Sequence, residues 1–305
     1  MTELSLNHAG INITTSKLQV VEVSYSNGEF ILENINEEFF SEFMDFSAKK
    51  TKIISLMQNA FGEIANKKLT KTRYFSFALP HNLFKIVQLP IENTLLNNDL
   101  AEHFKWEYSI LFPDVDQEDL LLQFIKAGDR VPSAIISGTY RKYIEILKEF
   151  CELNDANIKY IDNSHFASDN LLSSETGISE DSFLLSLYLS NEFMSLDLLQ
   201  NFKPIRFSTI PLKHFSEIIP AIDTFIKTTK LLDGNNKLIS RIYIAGDSIL
   251  DSLISGIKSM FGFEICFINP FNKIRHGSSL QINKFISSGF NSFSSAAGMA
   301  FRLIC

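Results

Sequence analysis

Three extended runs joined by tight turns, then an amphipathic helix, occur twice in this chain, and that doubled pattern limits the fold more than any other feature. The first copy opens with GINITTSKLQVVEVSYSNGEF, Gly10 to Phe30. Its apolar positions alternate as Ile11/Ile13, then Leu18/Val20/Val21/Val23, then Phe30/Leu32/Ile35. The first turn is Thr14-Thr15-Ser16-Lys17. The second is Asn27-Gly28, a dipeptide suited to hairpins because both positions take positive φ. A helix is expected over Lys50–Ala65, with Ile53, Ile54, Met57 and Phe61 on one face. The second copy runs SFLLSLYLS, FMSLDLL and IRFSTIPL, then a helix over Phe215–Leu232 that carries Ile218, Ile219, Ile222 and Ile226. Between the copies, Ser173–Asp181 is polar, turn-rich and without apolar period, which marks a boundary.

The remaining segments fill in an α/β reading. YFSFALPHNLFKIVQLPI predicts two short strands around Pro80, and Leu95–Leu111 an amphipathic helix carrying Leu100, Phe104, Ile110 and, one position off the stripe, Trp106. DLLLQFIKAGD and SAIISGT are strand-like. A strong amphipathic helix follows, with Tyr140, Tyr143, Ile144, Leu147 and Phe150 on one side. ANIKYIDNS predicts a strand and HFASDNLL a short helix. Later, RIYIAG is a buried-type strand, followed by a helix capped by Asp247 or Ser248. The strand FEICFINP and a small-residue helix in SSAAGMAFRLI complete the order.

Composition removes several function classes. With 305 residues the chain can hold two cores. Its 28 basic and 35 acidic residues give a net charge of −7 without a basic stripe, so nucleic acid is not an expected partner. Glycine is scarce, 13 in 305 residues, about 4% against a usual ~7%, which weighs against extensive phosphate wrapping by backbone. Cys151, Cys266 and Cys305 are far apart and odd in number, which fits a reducing compartment. The start MTELSLNHAG lacks a secretion signal, and no apolar run approaches the roughly 20 residues that span a bilayer. The expected location is the cytoplasm, with any membrane attachment made through a partner. The six histidines show no metal spacing, and no Ser/His/Asp or Cys/His motif stands out. The acidic run Asp114, Asp116, Glu118 and Asp119 reads as a solvated loop, with a magnesium site as the sharper alternative.

Several segments resemble the PilM family, the cytoplasmic actin-like component of type IV pilus assembly. The opening is similar to that family's GxDIGSSSxKxVEL. ALPHNLFKIVQLP is similar to its ALP…xxR-x-I-x-LP, and Trp106, Glu107 and Phe112-Pro113 stand in the order of its W-E…P-F block. YRKYIEILKEFCELNDANIKYIDNSHFASDNLL resembles its helix leading to V-D-V-D-S-x-A. RIYIAGDSILDSLISGIKSMFGFEICFINPFNKI resembles its G-G-G…N-P-F run, and AAGMAFR its closing A-x-G-L-A-L-R. The FtsA-like and GspL-like proteins share the fold.

The resemblance implies an actin-like α/β chain of duplicated RNase H-like lobes with an inserted subdomain. Lobe 1 would span 1–172 with an insertion at about 72–163, a linker 173–182, lobe 2 183–290, and a C-terminal helix 291–305 returning to lobe 1. Such lobes would face each other across a cleft lined by both first hairpin turns. Nucleotide binding would use Asn12, Thr14, Thr15, Ser16 and Lys17 in lobe 1. In lobe 2 the pattern D-I-G-x-S is placed on Ser186-Leu187-Tyr188-Leu189-Ser190, using Ser186 and Ser190, and the third turn falls on Gly246, Asp247 and Ser248. Asn12 stands where magnesium needs a carboxylate, Thr14 where backbone must approach phosphate, and Gly246 is the one glycine left in its turn. The first turn is therefore either a phosphate loop or a hydroxyl-rich hairpin corner. No cofactor is required by this reading, with ATP and magnesium as the alternative.

The implied partner is the cytoplasmic N-terminal tail of a PilN-like inner-membrane protein, held in a groove walled by Phe84, Ile86, Trp106, Phe112 and Phe124. Pilus motor ATPases are a second implied partner. The expected role is a platform component that does not hydrolyse ATP efficiently. The alternatives are an active actin-like ATPase or a small-molecule kinase of the same fold.

Overall fold

The structure is a computed structural model of the full chain. It describes residues 6–26, 28–91, 96–116, 118–127, 132–174, 183–229, 239–247, 249–272, 274–276 and 289–302. The contacts divide the chain into two units. One comprises Met1–His81, Tyr143–Glu175 and Ile268–Cys305, the other Asn82–Lys142 and Thr176–Phe267.

The first unit is built on a sheet whose strands are β1 (Leu6–Ile13), β2 (Lys17–Ser26), β3 (Glu29–Phe39), β4 (Tyr74–Leu79) and β8 (Asn157–Asn163). The short β14 (Arg275–His276) joins its edge, for the order β14-β3-β2-β1-β4-β8. The meander β1-β2-β3 is antiparallel, whereas β4 runs parallel to both β1 and β8. Alternation along β1 explains how it is covered. Ala9, Ile11 and Ile13 point to one face; His8, Gly10 and Asn12, smaller or polar, point to the other.

On the apolar side, α1 (Lys50–Lys67) and α3 (Arg141–Leu153) meet the sheet through a phenylalanine cluster. Phe61 lies 5.7 Å from Phe75 and 5.5 Å from Phe150, and Phe150 lies 6.1 Å from Phe77, all edge-on. On the other side, the final helix α7 (Ser294–Phe301) packs Ala296, Ala297 and Ala300 on Val21 and Val23. It also touches α4 (Ser164–Asp169) so closely that a Cβ on Gly298 would stand 1.7 Å from the Ala167 carbonyl oxygen. Small residues here let the helix backbone approach both neighbours.

The second unit repeats the scheme. Its strands are β9 (Phe183–Leu189), β10 (Phe193–Gln200), β11 (Lys203–Pro211), β12 (Ile239–Gly246) and β13 (Glu264–Phe267), in the order β11-β10-β9-β12-β13. Without β14, the first sheet has the same order: third, second, first, then the two parallel strands. The α/β actin-like arrangement of duplicated lobes expected from the sequence is thus present. Leu185, Leu187 and Leu189 of β9 share a core with α5 (Ile218–Thr228) and α6 (Asp251–Phe261). Residues 230–238, the end of the expected Phe215–Leu232 helix, lie outside the described residues.

The same unit contains a three-stranded sheet in the order β5-β7-β6, made of β5 (Phe84–Pro90), β6 (Leu120–Ala127) and β7 (Ser133–Tyr140). The helix α2 (Asn97–Leu111) covers one face through Leu100, Phe104 and Tyr108. On the other face, Gln88 donates to the Ile205 carbonyl oxygen of β11 at 2.8 Å. The expected insertion limits of about 72–163 differ from this arrangement. Both end segments of that range, β4 and β8, are strands of the first unit's sheet, while the three-stranded sheet lies wholly within 84–140. Propensity marks strands but not the sheet they join. Most of the expected linker, residues 175–182, lies outside the described residues.

Candidate functional site

The first hairpin turn closes on itself. The Thr14 amide donates to the Lys17 carbonyl oxygen at 3.0 Å. Thr14 Oγ1 accepts from the amides of Ser16 (3.2 Å) and Lys17 (3.0 Å), and donates to the Lys17 carbonyl oxygen at 3.2 Å. A phosphate bound at such a turn would need those amide hydrogens; here a β-branched hydroxyl takes them. The carbonyl oxygens of Thr15 and Ser16 are also used, accepting from the amides of Met44 (2.7 Å) and Phe40 (2.8 Å).

Below the turn lies a buried polar network. Asn12 is buried, donates to Gln19 Oε1 at 2.9 Å, and accepts from the Ser164 hydroxyl at 3.1 Å. Gln19 donates to Glu37 Oε2 at 3.0 Å. The Lys17 ammonium reaches the same oxygen at 3.0 Å, and the two side chains of this ion pair are only 9% and 11% exposed. Glu37 stands directly across from Gln19 in the β2–β3 register, which is why one carboxylate serves both. Sequence reasoning singled out Asn12 and Lys17 but missed Gln19, Glu37 and Ser164.

The second hairpin mirrors the first. The Ser190 amide donates to the Phe193 carbonyl oxygen at 2.9 Å; its Oγ donates to the same oxygen at 2.9 Å and accepts from the Phe193 amide at 3.1 Å. Ser190 therefore corresponds to Thr14. Counting back along the strands, Tyr188 corresponds to Asn12 and Ser186 to Gly10. This corrects the expected equivalence of Ser186 with Asn12 by two residues. The position equivalent to Asn12 is held by a buried tyrosine, while Ser186 sits deeper in the sheet beside Asp197 and Tyr243.

At the third turn, Gly246 has φ +98°, and a Cβ there would lie 2.1 Å from the Leu189 carbonyl oxygen. The Asp247 amide donates to that same oxygen at 2.9 Å. The glycine thus seats the turn on β9. Asp247 does not cap the next helix, contrary to expectation. The helix α6 begins at Asp251, with Leu250 at its N-cap position and no side-chain cap. Ser248 lies outside the described residues.

In both turns, hydroxyls of the turn itself take part of the backbone donor set. The amides of Ser16, Lys17 and Phe193 are engaged by the turns' own hydroxyls, and the equivalent strand positions two residues before each turn hydroxyl are Asn12 and Tyr188. Among the described residues no group of His, Cys, Asp and Glu could hold a metal ion, the Asp114–Asp119 run included.

The five expected groove residues do not form one wall. Phe112 and Phe124 pack into the α2-side core of the three-stranded sheet, and the Phe124 ring lies 5.1 Å from Phe104. Phe84 and Ile86 alternate with Val87 and Leu89, so they lie on the opposite face of β5, half-buried. Trp106 projects from α2 and is 59% exposed. A hydrophobic residue off the helix stripe is the sequence signal for that exposure.

No protein-family model and no curated protein matches the sequence. Solved structures do match. The chain is similar to a chain of the PilM–PilN type IV pilus biogenesis complex, with a TM-score of 0.77 at 16% identity, over 97% of this chain and 98% of that one. It is also similar to a Bacteroides thetaiotaomicron protein of actin-like ATPase fold and unknown function. There the TM-score is 0.54 at 14% identity, over 87% and 92% of the two chains. The chain has the actin-like fold.

Proposed function

We propose that this actin-like chain is a cytoplasmic platform component of a type IV pilus or related secretion-type machine. It binds the cytoplasmic tail of a PilN-like inner-membrane protein and does not turn over ATP efficiently. The single observation that carries the reading is the end-to-end likeness to a chain of the PilM–PilN complex, over 97% of this chain and 98% of that one. The self-satisfied turns at Thr14 and Ser190 support the second half, since nucleotide would have to displace hydroxyls already bonded to the same amides. Among the described residues no helix is long and apolar enough to cross a membrane, so in this reading recruitment to the membrane runs through the partner. Pilus motor ATPases are a further proposed partner.

The test is calorimetric titration of the full chain with a synthetic peptide of the cytoplasmic tail from a pilus-type inner-membrane protein encoded beside it. A phosphate-release assay with magnesium and ATP runs in parallel. Saturable binding that weakens in Ile86→Ser, together with phosphate release at the blank rate, is the expected result. Turnover that disappears in Thr15→Ala/Ser16→Ala would overturn the platform reading in favour of an active ATPase.

A further inference from the structure

The acid excess of this chain is concentrated around an exposed apolar stripe. On α2 the buried face is Leu100, Phe104 and Tyr108. Beside it, at helical spacing, run His103, Trp106 and Ile110. Trp106 is 59% and Ile110 58% exposed, and the His103 ring lies 6.0 Å from the indole. Large apolar side chains this open are not explained by the helix's own core.

The surrounding charge is one-sided. Residues 96–119 hold seven carboxylates and one lysine, in a chain whose whole net charge is −7. Asp99 and Glu102 stand at the N-terminal end, and Asp114, Asp116, Glu118 and Asp119, all exposed, follow the C-terminal end. The last turn of α2 carries no basic residue, so this loop adds negative charge where helix carbonyls already present it. Glu107, whose Oε1 lies 3.5 Å from His103 Nε2, keeps its other oxygen shielded from solvent without a hydrogen-bond partner among the described residues. The open charge of the loop and of the helix end is relieved by a cation brought from outside.

We propose that this face of α2 docks a basic amphipathic segment of a partner protein, its large apolar side chains on Trp106 and Ile110 and its Lys or Arg groups over the flanking carboxylates. Tryptophan suits such an anchor, since it offers a large rigid surface and a π-face for a cation. The same charges repel an anionic bilayer and nucleic acid, so the occupant is a peptide. The stripe lies on the α2 side of the sheet and Phe84 and Ile86 on the other, so this surface stands independently of the platform reading.

Trp106 is the sole tryptophan, which makes the full chain its own reporter. The probe is a short labelled peptide of lysine and leucine at helical spacing, read by Trp106 emission and by peptide anisotropy. Binding is expected to shift the emission to the blue and to weaken steadily with added salt. Affinity should fall about tenfold or more in Trp106→Ala and in Asp114→Lys/Asp116→Lys, and the glutamate–leucine and lysine–serine counterparts should not bind. Full affinity in either variant would overturn the proposal. So would equal binding of the glutamate–leucine peptide, or an emission shift produced by phosphatidylserine vesicles and not by the peptide.

Discussion

At the scale of single residues, the chemistry turns on two hydroxyls. Thr14 and Ser190 occupy equivalent positions, and each accepts an amide three residues on in its own turn, so each hairpin uses a hydroxyl of its own for that donor. The Lys17 ammonium is likewise committed, to Glu37. Removing one partner of a pair this buried leaves the other charge uncompensated, which costs about 3 kcal/mol. Lys17→Met is therefore expected to lower the urea unfolding free energy by about that amount. Lys17→Met/Glu37→Gln should recover most of it, because a neutral side-chain amide in place of the carboxylate still accepts from Gln19. A loss equal in the single and double variants would show that the pair does not act as a unit. Of this network, Asn12 and Thr14 were legible in the sequence as an amide and a β-branched residue where an acid and a glycine serve a nucleotide. Glu37 was not, because its distance of 20 residues from Lys17 has meaning only once β2 and β3 are in register.

At the scale of elements, periodicity located the helices and strands well and their junctions less well. The α2 pattern predicted a buried face with Trp106 off it; Leu100 and Phe104 are buried and the indole is exposed as expected, but Ile110, expected on the stripe, is 58% exposed. The start of α6 was placed too early because Asp247 looks like a cap by type, while in the structure its amide is bonded to Leu189 of β9 and the helix begins only at Asp251. Close approach by glycine also fixes α7. A methyl group at position 298 would meet backbone of α4, which cannot swing aside as a side chain could. Gly298→Ala is expected to destabilise by about 3 kcal/mol or more and to make the C-terminus cleavable by protease. Gly62, exposed inside α1 with nothing near its absent Cβ, provides the opposite case. Gly62→Ala should stabilise by about 0.5–1 kcal/mol, so thermal melts of the two variants should move apart.

At the scale of the whole molecule, one buried histidine ties four elements of the first unit together and couples its stability to pH. His8 of β1 donates from Nδ1 to the Ala300 carbonyl oxygen of α7 at 2.7 Å, and its Nε2 accepts from the Ser76 hydroxyl of β4 at 2.8 Å. That hydroxyl in turn accepts from the Tyr160 amide of β8 at 3.1 Å. Burial pushes the His8 pKa down to about 4 from its ordinary 6.5, and burial does the same to His81. With the folded value depressed, the unfolded chain takes up protons first as pH falls. Stability is then complete above about pH 6.5, declines toward pH 4, and levels off below that. His8 alone should cost about 2 kcal/mol by about pH 5. Urea titrations across this range should show that slope, reduced by about one proton in His8→Gln; an unchanged slope would mean that His8 is not the titrating group.

What the sequence determined by itself was the order of elements, the doubled meander, and the residue types at the hairpin turns, Asn12 and Thr14 among them. Those features are local: a period of two, a period of 3.6, and the residue types a turn tolerates. What tertiary structure alone decided was partnership and register. The second hairpin is the clearest case. Ser186 and Tyr188 lie two residues apart on one strand, so they share a face, and an alternating pattern cannot distinguish them. Only the turn hydrogen bonds from Ser190 to Phe193 show that Tyr188, and not Ser186, stands where Asn12 does.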